Sequence, residues 1–264
     1  IIKEIEPNIV FHMAARTDLN GLNVDSYDVN TKGIENLISA LNEIKTLDFV
    51  VFASSMLVCR LGYKPSSEAD YCPNTPYGKS KVIGEELIRS SNINFPWVIV
   101  RPTSIWGPWF ATPYRDFFDV IRKGLYVHPK GIRVRRSYGF IYNSIFQLSR
   151  ISDRLNDELV GKTIYLADYH PIELKSWSEN IQKNLNIRPI REVHIQVFKI
   201  PAKLGDILKN IGYKNPLMST FRLNNMLTPM EHNTTPLKDY CGDVPYSIDE
   251  GVRITCEWLQ THKK

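Results

Sequence analysis

The segment Thr75-Pro76-Tyr77-Gly78-Lys79-Ser80-Lys81 places a tyrosine and a lysine four residues apart just inside a helix start. Thr75 suits the N-cap and Pro76 the first helical position. At this spacing the phenol of Tyr77 and the ammonium of Lys81 share one helix face. A free tyrosine titrates near ~10 and is a poor base at neutral pH, but a fixed cation beside it favours the phenolate. Tyr77 then becomes a usable general acid or base. Upstream, Phe49-Val50-Val51-Phe52-Ala53-Ser54-Ser55 runs an apolar strand into two hydroxyls. Open α/β sheets bind ligands at the carboxyl ends of their strands, so a hydroxyl there can hold a substrate oxygen against Tyr77. Taken alone, Tyr-x-x-x-Lys is most often a solvated helix face, and Ser-Ser after a strand a turn. In this order, each on its own element, they point to one site.

A third group is a run of cations, Arg122, Lys123, Lys130, Arg133, Arg135 and Arg136, with no acid between them. The bland reading is a solvated basic loop. As a nucleic-acid surface the run is short and lacks a binding motif. A diphosphate is the better match, because a guanidinium fork suits its geometry.

The elements that must position these groups follow from periodicity. Asn8 to Ala14, Asp48 to Ala53 and Trp97 to Arg101 are apolar runs with the length of strands buried on both faces. Between them, Val29 to Leu41 carries Ile34, Leu37, Ile38 and Leu41 at helical spacing, and Tyr77 to Ile88 does the same with Val82, Ile83 and Leu87. Strand alternating with helix predicts a doubly wound parallel sheet, an α/β fold. After Pro108, prolines at 113, 129, 171, 201, 216, 229, 236 and 245 punctuate short helices, one of them Ser247 to Leu259, which predicts a smaller second domain. A helix from Tyr142 to Leu155 and a strand from Thr163 to Ala167 return to the sheet.

Composition narrows the classes. The 264 residues are 43% hydrophobic and 23% charged, an ordinary globular balance that excludes disorder. With 33 Lys plus Arg against 28 Asp plus Glu, the net charge of +5 demands no nucleic-acid partner and permits an anionic small molecule. Cys59, Cys72, Cys241 and Cys256 form no CxxC pair and no zinc-ligand spacing, so no metal is expected and a reducing, cytoplasmic setting fits. No apolar run approaches the ~18 residues of a membrane span, and no membrane partner is expected.

Four motifs in one order give a resemblance. Val10-Phe11-His12-Met13-Ala14-Ala15, Asn30-Thr31-Lys32-Gly33, the Tyr77/Lys81 pair behind Ser55, and Arg101-Pro102-Thr103-Ser104-Ile105-Trp106-Gly107-Pro108 resemble the V-x-H-x-A-A, N-x-x-G, Tyr-x-x-x-Lys and R-P-x-x-x-x-G-P segments of the extended short-chain dehydrogenase/reductases. The branch is that of the NAD-dependent epimerases and dehydratases of nucleotide sugars. The resemblance implies a Rossmann-type core over 1–108, with 138–168 returning to it, and a C-terminal, mainly substrate-binding domain over 109–264. It makes Tyr77 the catalytic acid/base and Ser55 the catalytic hydroxyl, while Lys81 tunes Tyr77 and binds the nicotinamide ribose. Ala14, Ala15, Arg16 and Ser54 border the cofactor, Pro102, Thr103 and Ser104 approach the nicotinamide, and Thr17 lies between cofactor and substrate. Arg136-Ser137-Tyr138 resembles the family's R-x-Y segment, which makes Arg136 the contact to the substrate pyrophosphate. His12 is read as a structural histidine and Asn30 as a backbone-fixing residue.

The sequence also departs from the family. The Gly-rich fingerprint that seats the cofactor pyrophosphate and the acidic residue after the second strand are not in it, and it begins at Ile1 rather than Met. The expectation is a sheet incomplete at its N-terminus by roughly two βαβ units of ~30 residues each. NAD is the expected cofactor, with NADP left open because the residues that read the ribose 2′ position are not there. Val58-Cys59-Arg60 replaces the usual V-Y-G, and Met56 and Leu57 stand where the 4,6-dehydratases carry an acidic pair, which removes the acid and base of dehydration. The expected activity is epimerisation of a nucleoside-diphosphate sugar at C4 through a transient keto sugar. The alternatives are a keto-sugar reductase or dehydrogenase with the same residues, and a truncated, non-catalytic relative that binds a ligand or partner. By family habit a homodimer forms through the helices 29–41 and 77–88.

Overall fold

In the computed structural model, which describes residues 2–111, 114–153, 158–213 and 219–262 (the side chains of 209, 210 and 221 apart), four apolar runs pair into one parallel sheet. They are β1 (Ile9–His12), β2 (Phe49–Ala53), β3 (Trp97–Pro102) and β4 (Thr163–Leu166), neighbours in that order, with Val10 opposite Val50, Val51 opposite Val98 and Val100 opposite Ile164. Successive strand residues point to opposite faces. Val50, Phe52 and Ile99 therefore join one core, with Ile34, Ile38 and Leu41 of helix α1 (Asp28–Leu41) and Ile88 of helix α2 (Pro76–Ser90). Phe49, Val51, Val98 and Val100 join the other, with Ile151 of helix α3 (Ile141–Asp153) and with Leu237, Tyr240 and Cys241 from the helix Thr235–Cys241. Helices on both faces make the sheet doubly wound, and the fold is α/β of Rossmann type. The two helices of the first face lie close: a Cβ on Gly84 of α2 would come within 2.6 Å of Ile34 Cδ1.

The chain divides into two compact units. The first is Ile1–Ser104, Tyr142–Tyr169 and His232–Pro245; the second is Ile105–Ile141, His170–Glu231 and Tyr246–Lys264. The second has its own core, in which the Trp106 ring lies 5.1 Å from Phe140 and 5.2 Å from Trp177. Its last helix, Ile248–Thr261, begins at Ser247, whose hydroxyl caps the Glu250 N–H while the Glu250 carboxylate returns to the Ser247 N–H. Helices α4 (Gln196–Asn210) and α5 (Thr220–Leu227) pack through Phe198, Ala202 and Leu223.

Two expectations change. β1 is shorter than Asn8 to Ala14 and is not buried on both faces. It stands at the edge of the described sheet, bonded to β2 alone, and Phe11 and Met13 are each 41% exposed. Pro201, expected to punctuate, lies inside α4. It sits within the second turn, where the cost is one main-chain hydrogen bond to the carbonyl of Val197, itself at the exposed first turn. Pro113, Pro216 and the end of the 142–155 helix lie outside the described residues. Among the described residues no helix is long and apolar enough to cross a membrane.

Candidate active site

The helix that carries Tyr77 and Lys81 is started by local chemistry. Thr75 Oγ1 accepts a hydrogen bond from the Gly78 N–H at 3.0 Å, and Pro76 occupies the first turn. Gly78 then meets another piece of backbone, since a Cβ there would lie 2.2 Å from the Leu57 carbonyl oxygen. Leu57 belongs to the single 3₁₀ turn Met56–Val58, which Ser55 caps by accepting from the Leu57 N–H at 3.1 Å. Glycine at 78 thus lets the turn that carries Ser55 rest on the helix start that carries Tyr77. Both side chains are buried, and the Tyr77 ring lies 5.9 Å from that of Tyr27.

Lys81, one turn further along α2, is 4% exposed. Its Nζ donates to the Ala53 carbonyl at 2.9 Å, where β2 ends. Its other two protons have no acceptor among the described residues. Burial pushes the ammonium down to about 8, against the opposing pull of the Glu85 carboxylate. His12 ends β1, and it differs from the satisfied histidine expected: its Nδ1 is buried with no partner among the described residues. Burial and then the charge of Lys81 lower its basicity.

Glu85 and Arg101 complete the arrangement, and sequence reasoning gave neither a role. Each is 1% exposed and they pair at 2.7 Å. The Glu85 carboxylate also accepts from Arg101 Nε at 2.8 Å, Ser54 Oγ at 2.6 Å and Tyr71 OH at 3.0 Å. Burial works against the Arg101 charge, but the bonds and charge of Glu85 outweigh it and raise its basicity. Ser54, expected at the cofactor, therefore spends its proton on Glu85. A signal for this network was present: Glu85 repeats the Tyr77, Lys81 spacing by four, and Arg101 is a charge at the end of an apolar run.

The loop after β1 is pinned by Asn30. Its Oδ1 accepts from Arg16 N at 2.8 Å, and its Nδ2 donates to Arg16 O at 3.0 Å and Ser80 Oγ at 3.1 Å. This fixes the loop that holds Ala14, Ala15, Arg16 and Thr17, with Ala14 and Thr17 exposed and Ala15 half-buried. The Arg16 guanidinium folds back onto Asp18 at 2.7 Å and the Ser26 carbonyl at 2.7 Å, over the Tyr27 ring. Pro102 ends β3, and Thr103 and Ser104 are buried beyond it, with Thr103 Oγ1 donating to Leu166 O at 3.3 Å. Parallel pairing brings all of these to the carboxyl end of one sheet.

Arg136 belongs to the second unit. There its Nη2 donates to the carbonyls of Asn225 and, at 3.1 Å, Thr228, at the end of α5, and its Nη1 donates to Tyr138 OH at 3.3 Å.

Buried polar groups are normally hydrogen-bonded. Here the Ser55 hydroxyl accepts but its proton has no acceptor among the described residues, Lys81 has two protons unspent, and His12 Nδ1 is unpartnered. Such a row at the strand ends suits the ribose hydroxyls and carboxamide of a nicotinamide dinucleotide, so the residues present fit that cofactor.

Known proteins bear on the same site. The chain is 24% identical over 253 residues to the N-acetyl-alpha-D-glucosaminyl-diphospho-ditrans,octacis-undecaprenol 4-epimerase of Escherichia coli O157:H7, covering 90% of this chain and 73% of that protein. It is 27% identical over 184 residues to the 3 beta-hydroxysteroid dehydrogenase/Delta 5→4-isomerase of Mycobacterium tuberculosis, covering 62% of this chain but only 49% of that one. The structure of the UDP-glucuronic acid 4-epimerase from Bacillus cereus in complex with NAD matches with a TM-score of 0.70 at 18% identity, over 100% of this chain and 78% of that one, which shows the fold. Residues 3–147 match the NAD-binding family model described as male sterility protein, and the chain belongs to that family, within the extended short-chain dehydrogenase/reductases.

Proposed function

We propose that the chain is an NAD-dependent 4-epimerase of sugars carried on a nucleoside diphosphate. The observation that carries the reading is the unspent hydrogen-bonding capacity of Ser55, Lys81 and His12 on the strand ends beside Tyr77. The names of the Escherichia coli and Bacillus cereus proteins support the choice of reaction.

The residues divide the work. Ser55 Oγ has one of its two lone pairs engaged by the Leu57 N–H, and its proton, which meets no acceptor among the described residues, is free to hold the sugar C4 oxygen. Tyr77 Oη takes the proton of that C4 hydroxyl as general base. The ammonium of Lys81 favours the tyrosinate and, with its remaining protons, holds the nicotinamide ribose. NAD, when bound, supplies a hydride acceptor that gives the hydride back. The loop 14–17 and residues 102–104 would hold its nicotinamide half. The keto sugar turns its other face, and Tyr77 returns the proton to the oxygen of the C4 epimer, with no net oxidation. Arg136 meets the diphosphate by exchanging the carbonyls of Asn225 and Thr228 for phosphate oxygens, and the second unit is the substrate-binding domain. A homodimer through α1 and α2 belongs to the same reading.

The test incubates the chain, with its natural N-terminus, with UDP-hexoses and catalytic NAD, following sugar configuration by NMR and nicotinamide by absorbance, with Tyr77→Phe beside it. Accumulation of the C4 epimer without net NADH, absent in the variant, is the expected result. Stoichiometric NADH with a keto sugar would replace the epimerase by a dehydrogenase; no turnover with any sugar and no NAD binding would leave a non-catalytic relative.

A further inference from the structure

Helix α4 is apolar on two sides, and only one of them is covered among the described residues. Phe198 and Ala202 are buried against Leu223 of α5, and Asp206 on the same helix accepts from the Thr220 N–H at 3.1 Å. The other side is open: Val197 is 54% exposed, Ile200 65%, Leu204 56% and Ile207 57%, with Leu208 beside them. At about 100° per residue these five fall within an arc of about 100°, the width of the stripe with which an amphipathic helix normally faces a core. Ile211, just past the helix, extends the stripe and is 74% exposed.

The charges around the stripe say what covers it. Lys199 and Lys203 are exposed along one flank. Lys130, also exposed, is held at the entry to α4 by its N–H donating to the Val193 carbonyl at 2.8 Å. No exposed residue described on α4 is acidic, since Asp206 is half-buried and turned to α5. A second copy of this face would bring lysines and apolar side chains but no carboxylate to meet the lysines. A phospholipid surface supplies both an acyl boundary for the stripe and phosphates for its flank. A helix whose leucine and isoleucine stripe is bordered by exposed lysines can lie in the plane of such an interface, with the lysines at the headgroups.

We propose that α4 is a membrane-docking element, its Val197–Ile200–Leu204–Ile207 stripe seated at the surface of an anionic phospholipid bilayer with Lys199 and Lys203 on the headgroups. The helix lies on the bilayer and does not span it, so the expectation of no membrane partner, which came from the lack of a spanning run, gives way here to a surface contact. This goes beyond the epimerase reading and does not depend on it, since docking needs no substrate.

The experiment is sedimentation of the full chain with vesicles of phosphatidylglycerol and phosphatidylcholine, and with vesicles of phosphatidylcholine alone. Wild type should partition to the anionic vesicles at least about tenfold better, and less so as salt rises. Ile200→Glu/Leu204→Glu should lose about tenfold or more of that partition, and Lys199→Glu/Lys203→Glu should lose the preference for anionic lipid. All four residues are exposed, and an unchanged circular dichroism melt would establish that the variants fold. Leu204→Trp gives an independent readout, a blue-shifted emission quenched by brominated lipid. No partition by wild type, or partition equal in Ile200→Glu/Leu204→Glu, overturns the proposal. So does a wild-type dimer that light scattering finds lost in Ile200→Glu/Leu204→Glu with no vesicle binding, which would assign the face to a second copy.

Discussion

Lys81 and Arg136 are both cations that the sequence offered to a ligand, and the fold treats them in opposite ways. Lys81 is buried at the end of a strand with two protons unspent. Arg136 is half-buried, with Nη2 bonded to two carbonyls and Nη1 to a phenol, so that of its nitrogens only Nε is left without a partner among the described residues. A buried donor without acceptors costs free energy in the unliganded chain and regains it when a polar ligand arrives. A donor already satisfied must break old bonds to make new ones, so its net contribution to binding is the difference. Residue type and motif therefore identify a candidate, and spare hydrogen-bonding capacity distinguishes a group prepared for a ligand from one that must be released.

The largest expected effect is at the prepared end. Tyr77→Phe should lower kcat by about 10²–10⁴ with the melting temperature little changed, because it removes the proton carrier and leaves the packing. Lys81→Met should lower kcat comparably and weaken NAD binding, read by cofactor titration. A Lys81 variant that binds NAD as wild type does would remove Lys81 from the cofactor and break the contrast with Arg136.

Next comes the pair behind Lys81. Glu85→Gln leaves Arg101 charged and unpaired in the core and should cost about 3–5 kcal/mol in denaturant unfolding. Glu85→Leu/Arg101→Met together should recover most of that stability. If the double variant is stable yet its pH–rate profile is displaced, Glu85 acts on Lys81 through its charge and not through packing alone.

Arg136→Met sharpens the other end. Loss of a charge-assisted bond to diphosphate, offset by the carbonyl bonds given up, should raise KM by about tenfold, or 1.4 kcal/mol, with kcat nearly unchanged. A lowered melting temperature with KM unmoved would make Arg136 a tie for the end of α5 and nothing more.

Within a single pH unit, the effect of pH on Lys81 is no larger than that of Arg136→Met. Lys81 is held down at about 8, so it carries its charge below that pH and loses it above. NAD affinity should fall as pH rises through about 8, by up to tenfold per unit, well before an ordinary lysine near ~10.4 would respond. The stability sign is opposite. The unfolded chain binds this proton up to about 10.4, so folding loses a proton-linked penalty and stability rises with pH between about 8 and 10.4. Titrations of NAD affinity and of urea midpoint across this range should move in opposite directions.

Much of the first unit was legible because its signals are local. The apolar runs ending at Ala53 and Arg101, the cap and proline before Tyr77, and the spacing of Tyr77 and Lys81 each lie within a few residues. What was not legible depends on partners distant in sequence. The run around Val10 reads like a buried strand, and within the described sheet β1 pairs with β2, Ile9 opposite Phe49, a strand 40 residues away in sequence. Glu85 and Arg101 find each other only once α2 lies beside β3. The fate of the Arg136 guanidinium depends on where α5 ends, and Pro201 reads as a breaker when its missing bond falls in an exposed first turn.

The first unit is assembled from three separated stretches of chain, and its second sheet face is closed by Leu237, Tyr240 and Cys241. A ribosome delivers β2 and β3 long before those residues emerge. Until then Phe49, Val51, Val98 and Val100 are covered only in part, by Ile151 of α3, and the rest of their face is open to solvent or to a chaperone. The unit that carries the candidate site is thus among the last parts to become a finished core during synthesis, although most of its residues are made first. A nascent chain stalled before residue 237 should be sensitive to protease across the sheet, and one released after residue 245 should resist it.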